Sequence, residues 1–488
     1  MWGRGGTMIE LRPVIFVIGI LLSILAIAMV IPAMVDIAVG HPDWQVFTVA
    51  AFVTLFVGVS MMLTTRASLR RFSVRQAFLM TNLAWFVIAA FGALPFQFSE
   101  LELNAVDAFF EAMSGVTTTG STVIVGLDFA PPGILLWRAI LQWLGGIGII
   151  VMAVAILPML QVGGMQMFRV EAFDADKVLP RAAQIAGGIA IVYVFLTAMA
   201  AIILWSLGMS GFDAVAHAMT SIATGGFSTY DASVGHFDNA AIDWAISVIM
   251  ILGSVPFVLY LRVIRGDLRP VFADTQVRWF LAIVAISVLL VALWLYHFDL
   301  MGPIDALRYS TFNVISVMTG SGFATADYGQ WGSFVVSIMF VLMFIGGCAG
   351  STTCGIKIFR LQVLYATAEA QIHRLMQPNG VFFPYYNRKP IPDSVATSVM
   401  SFFFLFATCF ALLAVGLGMT GLDFITAVSG AATAIANVGP GLGDVIGPAG
   451  NFATLPDSSK LLLCLGMLLG RLELFTVLIL LAPAFWRG

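Results

Sequence analysis

The stretch at 107–122, DAFFEAMSGVTTTGST, joins a short apolar run to a polar turn marked by glycine, and the same unit returns three more times along the chain. Aligned on one glycine, the copies bring Gly120, Gly226, Gly322 and Gly439 into register, each six residues after a hydroxyl (Ser114, Thr220, Ser316 and Thr433). Each closes a mostly apolar run that begins near an acidic residue: Asp107, Asp213, Asp305 or Asp423. Every copy lies between two long hydrophobic segments, so the unit reads as helix, half-helix, turn, helix. Four such units in one chain predict a pseudo-fourfold bundle whose glycine turns meet on one axis. Irregular backbone survives at membrane depth only where protein or a water-filled path surrounds it, so turns in register point to a pore.

The surroundings must then be a bilayer. Hydrophobic residues make up 60% of the 488 and charged ones only 10%, where about 25% charged is usual for a soluble domain. The expected fold is an all-α polytopic membrane protein of ten spans. Two of these, at 13–35 and 44–65, stand outside the repeat. Pairs follow at 76–95 and 133–160, 184–208 and 241–264, 277–297 and 332–372, and 393–418 and 459–483. The corresponding units are 1–75 (the extra N-terminal spans) and 76–165, 166–270, 271–378 and 379–488 (pore repeats one to four). The run at 13–35 is too long for a signal-peptide core and has no small-residue cleavage pattern after it, so it is read as a span.

Charge placement tests this topology independently. Arg66, Arg70, Arg71 and Arg75 form a basic loop that the positive-inside rule assigns to the cytoplasm. With both termini also cytoplasmic, nineteen of the 23 Lys and Arg residues fall inside and only Arg138, Arg308 and Lys460 outside. The outer loops carry acids instead, among them Asp128, Asp231, Asp238, Asp327, Asp444 and Asp457. These either concentrate cations at a pore mouth or are ordinary solvated loop charges.

A permeating cation sheds water in the narrowest part of a pore, and oxygens must replace it. Backbone carbonyls can do so only if the chain takes up dihedrals closed to most side chains, which glycine supplies. Neighbouring hydroxyls (Thr118, Thr119, Ser121, Thr224, Ser228 and Ser321) add oxygens or hold the turn. Each half-helix also aims its partially negative C-terminal end at the axis. With a single aligned glycine per repeat, the selective part is expected to be short.

Two further stretches bear on the pore. The run GGCAGSTTCGIK at 346–357 interrupts a segment far longer than one crossing needs, and Ala349, Gly350, Ser351, Thr352 and Thr353 in succession are poor material for an apolar helix. It reads as a loop beneath the turns, hence a gate, or as a kink with a small-residue packing face. Arg471, in GRLELFTVL, is an intramembrane charge that must face the bundle interior or a wet cavity. It is either a positive barrier in the pore beside that loop or a cation neutralised by Glu473 or by carbonyls. His217 and Glu111, on half-helices, read as satisfied by neighbouring backbone. The four cysteines (Cys348, Cys354, Cys409 and Cys464) form no CxxC and read as small buried residues. No HExxH or nucleotide fingerprint is present, and GPGLG at 439–443 follows no strand. An intramembrane enzyme built on His217 is disfavoured, because catalysis needs one constellation and not four equivalent turns.

The glycine turns, the GGCAGSTTCGIK break and GRLELFT together resemble the Trk/Ktr/HKT superfamily of potassium transporters over nearly the whole chain. The two extra N-terminal spans, GGMQMFR at 163–169 and VPFVLYLR at 255–262 make it similar to TrkH-type membrane subunits. That resemblance implies a K⁺ filter made by Thr118, Thr119 and Gly120, by Thr224, Gly225 and Gly226, by Ser321 and Gly322, and by Asn437, Val438 and Gly439. It implies a gate made by Gly346, Gly347, Ala349, Gly350, Ser351, Thr352, Thr353, Gly355 and Lys357, with Arg471 beside it. Glycine at 120, where sodium-preferring relatives of the plant branch tend to carry serine, favours potassium. The third turn, TGSGF, departs from the TTTGF common in relatives, and Cys354 stands where a second glycine is common. The resemblance further implies a multi-pass bacterial inner-membrane protein in a homodimer, bathed by membrane lipid and docked on a cytoplasmic TrkA-type ring. ATP or NAD would bind that ring, with no cofactor on this chain and no nucleic acid. A less selective K⁺/Na⁺ or proton-coupled cation transporter is the alternative reading.

Overall fold

The computed structural model describes residues 10–65, 73–152, 178–387 and 389–487. Most of the basic loop (Arg66, Arg70 and Arg71), the GGMQMFR segment and the end of the span expected at 133–160 lie outside the described residues. Among those described, seven helices are long and apolar enough to cross a bilayer, and two more spans are pairs of helices bent by 97° and 108°. The tenth expected span is present in two pieces, Ser333–Phe344 and Ile358–Met376. Side chains such as Phe52, Phe56, Ile202 and Phe404 are exposed on the outside of the bundle, as a lipid-facing surface requires.

Four short helices fill the middle: Ala105–Val116, Gly211–Ile222, Pro303–Thr319 and Phe424–Ala436. Their 12, 12, 17 and 13 residues reach about 18–26 Å at about 1.5 Å per residue, short of the roughly 30 Å apolar layer. Their starts are fixed by local chemistry. Asn104 accepts from the Val106 and Asp107 amides, Ser210 from Asp213, and Asp423 from Ile425 and Thr426. The third opens on Pro303, whose missing N–H costs nothing in a first turn. These short helices are deeply buried: Phe110, Ala112, Ala218, Phe312, Val317, Ala431 and Ala434 are all fully covered.

The N-terminal pair Arg12–Val39 and Trp44–Thr64 packs through two glycines. A Cβ on Gly19 would lie 2.7 Å from the Gly58 carbonyl oxygen, and one on Gly58 2.8 Å from that of Gly19. The pair is tied to repeat one by Asp36, which accepts from the Gly133 amide at 2.7 Å, at the start of helix Pro132–Val151.

Two spans expected to be continuous are broken. The second span of repeat two ends at Ser254 and turns before Pro256, whose ring drives Val255 out of helical geometry. The second span of repeat four ends at Arg471, followed by Glu473 and Leu474 at φ of 64° and 39°. Repeat three breaks at Phe344, so three second spans stop within two residues of a glycine: Gly253, Gly346 and Gly470.

Candidate ion pathway

Each pore helix ends in the same way. The residues two before the aligned glycines, Thr118, Thr224, Gly320 and Asn437, lie in the left-handed region at φ of 51°, 49°, 70° and 53°. The next residue's amide bonds back to a carbonyl five residues earlier: Thr119 to Ser114, Gly225 to Thr220, Ser321 to Ser316, Val438 to Thr433. This is the Schellman helix stop. The four hydroxyl residues recurring in the sequence are therefore the carbonyl acceptors of that stop. Three of the left-handed positions hold no glycine, which costs about 1 kcal/mol or more at each of the two threonines and less at Asn437.

The aligned glycines are left-handed again, at 88°, 78°, 76° and 114° for Gly120, Gly226, Gly322 and Gly439, while the residues between are not. Alternating handedness gathers amides on one side of a chain and leaves the carbonyls on the other. The turns then interlock. A Cβ on Gly120 would lie 2.2 Å from the Gly225 oxygen, one on Gly226 1.6 Å from that of Ser321, one on Gly322 2.2 Å from that of Val438, and one on Gly439 2.9 Å from that of Thr119. Repeat one thus meets two, two meets three, three meets four, and four meets one. The cycle closes, and four carbonyl-bearing turns stand around one axis.

The hydroxyls beside the ring brace it. Thr117 donates to the Met113 carbonyl at 2.6 Å, so its 2.8 Å contact with Thr119 runs from the Thr119 hydroxyl. Thr119 in turn accepts from Asn437 Nδ2 at 2.9 Å, linking the fourth turn to the first. Thr319 and Ser321 pair in the same way in repeat three, at 2.9 Å. Ser121 donates to the Gly439 carbonyl and Ser228 bonds His217 Nε2. Thr118 Oγ1 is buried and has no hydrogen-bond partner among the described residues.

A pocket on one side of the ring is lined by Gly120, Gly226, Gly322 and residues just after them, with Asp231 at its wall. Of the outer acids named from the sequence, only Asp231 lines this mouth; Asp327 caps the Gly329 amide and Asp238 faces Arg308. The three outer cations are each held by carboxylates: Arg138 by Glu111 at 2.8 Å, Arg308 by Asp243 at 2.6 Å, and Lys460 by Asp107. Glu111 also accepts from the Val123 amide, and His217 is held by the Asp213 carbonyl as well as by Ser228. Both are satisfied within the protein, Glu111 by the side chain of buried Arg138 as well as by backbone.

The stretch 345–357 packs against residues that precede the aligned glycine of the second turn. Its neck is a parallel bridge between Ile345 and Ile356, and its tip is pinned to repeat two. The Thr352 hydroxyl shares its one hydrogen between the carbonyls of Ile222 at 3.0 Å and Gly253 at 2.9 Å, and accepts from Thr224. The Cys348 amide bonds the Ser254 carbonyl, and the Ala349 amide bonds Gln276. Ser351 and Thr353 pair inside the loop, where Lys357 caps the Thr353 carbonyl. Ile222 and Thr224 lie four and two residues before Gly226, so the loop sits directly against the helix end carrying the second turn.

Arg471, 1% exposed, joins three repeats: from repeat four it donates to the Gly145 carbonyl of repeat one at 2.9 Å and to the Thr352 carbonyl of repeat three at 3.1 Å. It also touches Cys354 Sγ. Glu473 is not its partner. That carboxylate pairs with Arg360 at the start of helix Ile358–Met376, which itself stacks over Phe402 at 3.8 Å. The backbone reversal at Glu473 and Leu474 turns the two side chains to different neighbours, which spacing along a straight helix could not show. Lys357 and Arg360, in the same stretch, are likewise buried.

Over residues 43–487 the chain matches the family described as TrkH, cation transport protein. It is 45% identical over 477 residues to the Trk system potassium uptake protein TrkI of Halomonas elongata, covering 97% of each chain. It is 37% identical to the Trk system potassium uptake protein TrkH of Escherichia coli strain K12, covering 98% of this chain and 99% of that one. Its fold matches the crystal structure of the potassium transporter TrkH from Vibrio parahaemolyticus with a TM-score of 0.91 at 36% identity, covering 98% and 100% of the two chains.

Proposed function

The chain belongs to the TrkH family of cation transport proteins, and from that membership we propose that it takes up potassium across a bacterial inner membrane, both termini cytoplasmic, as the conducting subunit of a gated assembly. The observation that carries this reading is the closed ring of four glycine turns. The names of its relatives, potassium uptake proteins, supply the ion.

A K⁺ ion entering from the Asp231 side exchanges water for carbonyl oxygens of Thr119, Gly225, Ser321 and Val438, with Thr118, Gly120, Thr224, Gly226, Gly322, Asn437 and Gly439 shaping their turns. The ring is one residue layer deep, so few ions bind at once and release stays fast. Below it the 346–357 segment (Gly346, Gly347, Ala349, Gly350, Ser351, Thr352, Thr353, Gly355 and Lys357) blocks the path, and the Arg471 guanidinium repels cations there. Opening requires Thr352 to leave the Ile222 and Gly253 carbonyls. The force for this comes from a cytoplasmic TrkA-type ring that binds ATP or NAD and docks on a homodimer of this chain; this chain itself needs no cofactor.

Purified protein in vesicles, with and without that ring, tests the proposal. K⁺ and Rb⁺ flux above Na⁺ and Li⁺, raised by the ring and its nucleotide, is the expected result. Flux that ignores cation identity with the ring present would contradict it.

A further inference from the structure

The second spans carry a repeat of their own, three residues before a glycine: QWLG at 142–145, MILG at 250–253, MFIG at 343–346 and MLLG at 467–470. Three repeats place methionine at this position, and Met250, Met343 and Met467 are at most 1% exposed. Repeat one places Gln142, fully buried and of nearly the same size and shape.

The difference lands on the ring. The Phe227 amide donates to Gln142 Oε1 at 3.0 Å, which leaves the side-chain NH₂ facing the other way, and it donates to the Gly225 carbonyl at 2.5 Å. Gly225 is the one pre-glycine position without a side chain, the others being Thr119, Ser321 and Val438. A Cβ there would lie 2.4 Å from Gln142 Cδ, so amide and glycine fit only together.

We propose that Gln142 is a specificity-determining positioning residue: its amide ties down one of the four ring carbonyls and occupies part of that oxygen's lone-pair capacity. The inference rests on the ring being the cation filter. A carbonyl accepting a hydrogen bond offers a weaker, less mobile field to an ion. Small cations hold water most tightly and need the strongest, most closely drawn oxygens to replace it. One restrained carbonyl therefore biases the ring towards the larger cations, K⁺ and Rb⁺, and against Na⁺ and Li⁺.

The test is Gln142→Met, which installs the residue of the other three repeats, compared with wild type and with Gly120→Ser in the same vesicles. Thermal unfolding of each protein in detergent is measured without monovalent metal cations and with K⁺ or Na⁺ added. The expected result is a cooperative cation-free transition at a midpoint lowered by the loss of two buried hydrogen bonds, a K⁺ over Na⁺ flux ratio lowered about threefold or more, and K⁺ stabilisation that weakens relative to Na⁺. An unchanged flux ratio in a folded Gln142→Met protein, with Gly120→Ser shifted, would overturn the role of Gln142 and leave the ring in place. Unchanged ratios in both variants would overturn the ring itself. Failure of Gln142→Met to fold would assign the amide to stability and equally contradict the proposal.

Discussion

Gly120 is held at φ of 88° with the Gly225 oxygen 2.2 Å from where a side chain would begin. Gly120→Ser must move that carbonyl and strain the turn, and the K⁺ over Na⁺ flux ratio is expected to fall about tenfold, or about 1.4 kcal/mol of discrimination; a wild-type ratio in folded protein would remove Gly120 from the selective step. Behind the ring, Glu111→Gln leaves Arg138 buried without its carboxylate, a loss of about 3–5 kcal/mol. A markedly lower unfolding midpoint is expected, and an unchanged one would mean the pair is not needed. The glycines and the hydroxyls six residues earlier were legible in the sequence because both recur in register. The left-handed Thr118 and Thr224 were not, since no local rule selects threonine for that conformation and packing alone imposes it, whereas Asn437 is of a type that takes it up more readily. Gln142 was overlooked for a different reason. Aligning the second spans as the turns were aligned would have shown one glutamine among three methionines.

Three second spans break close to a glycine, and only some of the breaks are legible in the sequence. Five small or hydroxyl residues from Ala349 to Thr353 marked the interruption in repeat three, and the structure has a bridged loop there. The 108° turn after Arg471 carried no such signal, because Glu473 and Leu474 are good helix formers forced to positive φ. The Arg360–Glu473 pair, 113 residues apart in sequence, was equally out of reach. If the loop obstructs the path, deleting 349–353 is expected to raise K⁺ flux several-fold in vesicles lacking the cytoplasmic ring, and flux at or below wild type in folded protein would contradict the gate. Arg471→Ala removes donors to Gly145 and Thr352 together with a positive charge. Basal flux is expected to rise there too, whereas loss of stability with no gain in flux would make Arg471 a packing residue. Outside the pathway, Gly58→Val should separate the N-terminal helix pair, because its Cβ would meet the Gly19 carbonyl at 2.8 Å. A lower unfolding midpoint with the selectivity of surviving protein unchanged is expected.

The chain is a multi-pass membrane protein whose polar groups are gathered inward. Lipid-facing helices carry apolar residues outside, while the ring, the loop and the buried ion pairs lie at the centre. That separation follows from the bilayer, which penalises unsatisfied polar groups everywhere except where protein or a hydrated path receives them. It also explains why composition and hydrophobic runs were enough to foresee the order of the spans, and why side-chain pairing among the buried charges was not foreseen. In the proposed pathway the four turns surround one cation on a shared axis. Crystals grown with Rb⁺ in place of K⁺ would test it through anomalous scattering at the rubidium edge. A peak is expected on the axis among the carbonyls of Thr119, Gly225, Ser321 and Val438. A ring without such a peak, in crystals where Rb⁺ sits elsewhere in the protein, would contradict it.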